Sequence, residues 1–111
     1  MTTPRLAPGE AGRHQLPRPH RAGPQRRTLE RTLAAAQEQG RPIPCRQGDG
    51  ADWLTEDRQT QRQAAAACRT CPAVAECAEY ALTAREAAGV FGATTPAQRR
   101  RATTTSKERA A

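Results

Sequence analysis

The sequence predicts a small all-α domain held by a cysteine-centred staple and flanked by basic arms. Three observations predict it. Alanine-rich runs such as QAAAACRTC and AVAECAEYALTA stand between helix start and stop signals and favour helix over strand. One Trp, one Tyr and one Phe among 111 residues leave little aromatic area for a core. The third is a set of four cysteines, Cys45, Cys68, Cys71 and Cys77, in the pattern C-x22-C-x2-C-x5-C. Alanine buries little area, so burial alone does not offset the roughly 1.5 kcal/mol per residue that ordering costs, and a covalent or metal staple is required.

The elements follow in order. Residues 1–44 hold seven of the nine prolines and eight Arg against three Glu, the composition of a mostly disordered basic arm. Within it, 28–39 (TLERTLAAAQEQ) reads as a short helix closed by Gly40, with Leu29 and Leu33 paired on one face. Alone in water such a helix is marginal, so it needs a partner. The cysteine domain spans 45–101. Its opening, CRQGDGADWLTED, reads as a loop that ends at Thr55, the expected N-cap of a helix running through about Ala67 to deliver Cys68, with Glu56 and Asp57 in the first turn. Pro72 fits the first position of the next helix, with Cys71 at or beside its N-cap, Cys77 on its second turn and an end near Ala88. Thr95-Pro96-Ala97-Gln98 matches a capping box, so a further short helix starts there, and 102–111 reads as a disordered basic tail.

Charge and motifs narrow the function. Residues 45–98 carry five Arg against seven acids, and 99–111 carry five basic residues against one Glu, so a mildly acidic domain bears basic arms suited to a polyanion such as DNA. Arg99, Arg100 and Arg101 form a candidate grip on the DNA backbone without a base-reading code. No apolar run reads as a signal peptide or membrane span, which predicts a cytoplasmic protein without a membrane partner. No Ser/His/Asp set, paired-carboxylate signature, P-loop or dinucleotide glycine fingerprint occurs, so no catalytic residue and no small-molecule substrate is expected.

In a reducing compartment, clustered cysteines point to metal or redox chemistry rather than to permanent disulfides. Structural zinc usually draws on two short pairs, whereas this chain has one, and His14 and His20 lie in the proline-rich arm as solvated residues. Three close thiols plus one distant thiol suit the corners of a [4Fe-4S] cluster. A zinc-stapled interaction module, and thiol-disulfide exchange by Cys68 and Cys71, are the alternatives that spacing leaves open.

The segment from Cys45 to Arg101 resembles the WhiB-like family of actinobacterial transcription regulators and their phage relatives. The resemblance rests on the remote cysteine in CRQGDGADWLTED, the trio in CRTCPAVAECAEYAL, the turn GVFGA at Gly89 to Ala93 and the following arginines. It implies a helical domain stapled by one [4Fe-4S] cluster on Cys45, Cys68, Cys71 and Cys77, responsive to oxygen or nitric oxide. It also implies action with the primary sigma factor of RNA polymerase through the turn Gly89, Val90, Phe91 and Gly92, and with DNA. Some members have been described as protein disulfide reductases when stripped of iron. Trp53 takes the place of an aromatic that commonly follows the first cysteine and packs near the cluster. The chain departs from the family turn in having Phe91 where Trp is usual and Ala93 where a second glycine is common.

Overall fold

The computed structural model describes residues 22–110. Most of the expected proline-rich arm, with His14 and His20, therefore lies outside the described residues. The described chain forms four α-helices, α1 (Gly23–Glu38), α2 (Arg58–Cys68), α3 (Val74–Ala84) and α4 (Pro96–Ala110), with 3-10 turns at Pro44–Arg46 and Ala51–Trp53. No strand is assigned among these residues, and none of the helices is long and apolar enough to cross a membrane.

Helix α1 begins at Gly23 rather than Thr28 because Pro24 opens it: a proline in the first turn lacks only an N–H that would have no intrahelical partner. It ends as expected at Gly40, in the left-handed region at φ +70°, with the Arg41 N–H bonded back to Ala36 O at 2.9 Å. The partner it needs is α3. Leu29 is buried with Ala22, Ala73, Tyr80 and Ala81, and Leu33 packs against the same cluster. Helix α1 thus docks across the expected boundary at Cys45.

A second cluster is built from Ala64, Ala65, Cys68 and Val90, with Trp53, Val74 and Ala93 against it, and here α2 packs on the two 3-10 turns. Among the described residues no large side chain is completely buried in either cluster. The chain therefore has two small alanine-rich cores instead of one larger one.

Helix α4 runs on to Ala110 through the span expected as a tail, and three limits in α2 and α3 also differ from what the sequence predicts. Asp57, not Thr55, caps α2, its carboxylate accepting from the Thr60 N–H at 2.8 Å and from the Thr60 hydroxyl at 2.7 Å. A carboxylate is the stronger acceptor for helix amides, and those two bonds hold the Asp57 carboxyl below its usual range. Thr55 caps the preceding turn instead, accepting the Asp57 N–H. Helix α3 starts at Val74, since Cys71 to Ala73 form a separate turn in which Cys71 O accepts the Val74 N–H. It stops at Ala84 and not near Ala88, because Arg85 adopts a left-handed φ of 57° and Glu86 N–H returns to Ala81 O at 3.0 Å. The capping box at α4 forms as read: Gln98 N–H donates to Thr95 Oγ1 at 3.2 Å and Thr95 N–H to Gln98 Oε1 at 2.9 Å.

Between α3 and α4 the chain makes a two-residue reversal. Phe91 and Thr94 exchange backbone hydrogen bonds of 3.1 and 2.8 Å around Gly92 and Ala93, which lie at φ 53° and 64°. Positive φ at both central residues is the geometry of a type I′ turn. Gly92 is required twice over, since a Cβ there would run into the Ala78 backbone and stand 2.6 Å from Val74 O. No steric clash demands glycine at Ala93, whose methyl packs on the second core but carries the cost of a left-handed alanine. Ala93→Gly should therefore raise stability by about 0.5–1 kcal/mol, read as a higher unfolding midpoint, whereas Gly92→Ala should prevent the native turn from forming.

Candidate metal centre

Each thiol is delivered by a different local device. Cys45 sits in the 3-10 turn Pro44–Arg46, and Gly50 folds the following loop back so closely that a Cβ on it would lie 3.1 Å from Cys45 O. Cys68 is the last residue of α2, Cys71 opens the turn before α3, and Cys77 lies on α3 itself, its N–H bonded to Ala73 O. All four are free thiols; Cys68 is buried, Cys71 and Cys77 are half-buried and Cys45 is exposed. Cys71 and Cys77 pack against the α1–α3 core while Cys68 belongs to the other, so these three sulfurs lie along the seam between the two clusters.

Cys45 and Cys77 feel the other thiols. Partial shielding from water pushes the Cys45 thiol up, with further contributions from Cys71 and Cys68. Cys77 is pushed up to about 12, mainly by burial and then by Cys68, with smaller contributions from Cys45 and Cys71; a hydrogen bond from the Gly92 backbone acts the other way. Hydrogen-bond donors reach other sulfurs too. Trp53 Nε1–H donates to Cys68 Sγ at 3.2 Å, and the Ala73 N–H donates to Cys71 Sγ at 3.4 Å. Among the described residues no three Cys, His, Asp or Glu side chains are gathered as a single-ion site.

The turn expected to meet a partner faces largely inward. Val90 is buried in the second core, its N–H donating to Trp53 O at 2.8 Å, and Gly89 and Gly92 are buried as well. The half-buried Phe91 ring packs on Tyr80, with centroids 6.2 Å apart, and lies under the Arg99 guanidinium at 5.3 Å.

Arg99 requires a correction. It was read with Arg100 and Arg101 as a grip on the DNA backbone, but it is only 3% exposed. Its five N–H donors make five hydrogen bonds: Nε to Glu86 O, Nη1 to Thr94 O and Thr94 Oγ1, and Nη2 to Ala88 O and Gly89 O, at 2.6 to 3.2 Å. A planar fork of donors that is always charged suits this task. Arg100 and Arg101 point outward and are exposed. Helix periodicity carried the signal, because Arg99 lies four residues after the buried Thr95 and so shares its face, while each later residue is rotated by about 100°. Glu86, which the sequence reading did not single out, completes the arrangement by accepting the Tyr80 hydroxyl at 2.7 Å.

Two outcomes follow from this geometry. Arg99→Ala should cost roughly 3 kcal/mol, because it removes the donor to the buried Gly89 carbonyl and to the part-buried carbonyls of Glu86 and Ala88; Arg99→Lys should recover only part, as read by thermal unfolding. The raised Cys77 thiol gives a pH dependence. The folded state keeps this proton up to about 12, whereas an unfolded thiol releases it near 9.0, so the contribution is complete below about 9 and is lost as pH rises between the two. Metal-free, reduced protein should accordingly unfold more easily across that window, as followed by helical circular dichroism.

The sequence model of the family described as transcription factor WhiB matches residues 30–102. No curated protein and no solved structure gives a match. The matched span covers well over half of the chain and contains all four cysteines, the Gly89–Thr94 turn and Arg99, and the chain therefore belongs to the WhiB family of transcription factors.

Proposed function

We propose that this protein regulates transcription through one [4Fe-4S] cluster held by Cys45, Cys68, Cys71 and Cys77, acting with the primary sigma factor of RNA polymerase and with DNA. The observation that carries the reading is the seam: thiols brought from separate segments interact electrostatically between two small, alanine-rich cores. A donor set of four thiols with N–H groups directed at sulfur fits an iron–sulfur cluster, whose sulfurs accept such bonds. When bound, the cluster would supply a redox-active group that oxygen or nitric oxide can attack.

The chain's own residues give that event a consequence. The Gly92 backbone bonds the Cys77 sulfur, Gly92 belongs to the reversal, and Arg99 ties the reversal to α4. Losing the ligand at Cys77 would loosen this turn and the surface built on it. The exposed part of Phe91 and the surrounding backbone would meet the sigma factor, and the exposed Arg100 and Arg101 would follow DNA phosphates. The domain doing this work would run from about Ala22, since Ala22, Leu29 and Leu33 pack into one core.

Protein purified without oxygen should be brown, with iron and sulfide near four each. A colourless protein with one zinc would replace the reading with a structural module, and a metal-free folded protein would replace it with thiol-disulfide exchange. In the loaded protein, Phe91→Ala should weaken co-purification with the sigma factor while leaving iron content unchanged; undiminished recovery would remove Phe91 from the contact.

A further inference from the structure

We propose that Trp53 is a positioning and tuning residue of the cysteine site, acting through the hydrogen bond from its indole Nε1–H to Cys68 Sγ. The contact is 3.2 Å long, and Cys68, 6% exposed, is the buried member of the four. Water is least available to satisfy this sulfur, so a protein donor matters most here. A donor facing a sulfur stabilises its anionic form, and bonds of this charge-assisted kind are the stronger ones.

The indole is held from several sides, which makes the bond a built feature. Trp53 ends the 3-10 turn Ala51–Trp53, packed on α2, and its N–H bonds Gly50 O at 3.1 Å. Its carbonyl accepts the Val90 N–H at 2.8 Å, and its ring packs on the cluster of Ala64, Ala65, Cys68 and Val90. The donors to Cys71 and Cys77 belong to the backbone, whereas this donor belongs to a side chain. It can therefore be removed without moving the chain: phenylalanine fills much of the same volume and donates nothing.

Two effects follow. In the metal-free protein the bond fixes the orientation of the Cys68 side chain. In the loaded protein, and resting here on the regulator reading above, it favours the state with one additional electron, because hydrogen bonds to cluster sulfurs help set the reduction potential. That step takes one electron from an external reductant, with no bond broken and no proton transferred.

The chain has one Trp, so a ¹⁵N-labelled sample gives a single indole N–H resonance that needs no assignment. In reduced, metal-free protein that circular dichroism shows to be helical, this resonance should move on Cys68→Ala and stay in place on Cys45→Ala. An unmoved signal in folded Cys68→Ala would overturn the hydrogen bond. If that variant or the metal-free protein does not fold, exchange of the indole proton in the loaded wild-type protein decides: slow exchange supports the bond and exchange at the solvent rate overturns it. After loading with iron and sulfide, reductive titration with dithionite should place Trp53→Phe at a lower midpoint potential than wild type at equal iron content. Equal potentials would overturn the tuning. Uptake of zinc alone by the wild-type protein would end the iron–sulfur reading and the tuning with it, while the indole resonance still decides the hydrogen bond.

Discussion

Everything in this molecule depends on how two cores of small side chains are joined. One is centred on Ala73, Tyr80 and Ala81 with Leu29, the other on Ala64, Ala65 and Val90, and alanines make up much of both. Burying an alanine yields a fraction of what a leucine or phenylalanine yields, so each unit alone is marginal. The thiols occupy the seam, Cys68 on one side and Cys71 and Cys77 on the other, with Cys45 reaching in from the loop. Their mutual effects are unfavourable while they remain uncoordinated, because each additional thiolate raises the cost of the next. On the proposed reading, a bound cluster would remove that repulsion and join the cores in one step, so that ligation and folding would be coupled by the same atoms.

The second join is polar. The reversal at Gly92 and Ala93 contributes Phe91 to the first core and Val90 and Ala93 to the second. Arg99 holds it, spending every N–H of its guanidinium on oxygens between Glu86 and Thr94. Burial works against that charge, pulling the Arg99 group below its usual range, and the Glu86 carboxylate opposes the shift. Glu86 is itself fixed by the Tyr80 hydroxyl. A chain of contacts thus runs from the α1–α3 core through Tyr80, Glu86 and Arg99 into α4.

Local chemistry was legible in the sequence, and features set by tertiary contacts were not. Thr95 to Gln98 announced their capping box because all its partners lie within one turn, and Gly40 announced the end of α1 for the same reason. The four cysteines and their division into one remote thiol and a trio were visible as spacing. Arg85 gave no warning that α3 would stop, since arginine has no preference for left-handed backbone and the reason lies in where Glu86 must go. The early start of α1 was hidden by prolines that read as disorder, although one of them opens the helix. Arg99 was misread because a run of three arginines looks like a surface feature until the helix face is fixed by Thr95.

The two departures of the GVFGA turn from the family pattern make sense together. Ala93 holds a left-handed conformation that glycine would adopt without strain, at a cost of order 1–2 kcal/mol for a residue with a Cβ. Strain of this size persists only where the surroundings fix the backbone more firmly than the local preference opposes it. Here they do, because Thr94 is bonded to Phe91 in both directions, Arg99 grips Thr94 through two acceptors, and Gly92 lies so close to α3 that no other residue fits. The methyl group of Ala93 also contributes to the second core, an apolar contact that glycine would lose. Phe91, smaller than the usual Trp, rests between Tyr80 and the Arg99 guanidinium and is held by both. The guanidinium therefore stabilises the substituted turn twice, through its backbone acceptors and through the face of the aromatic ring.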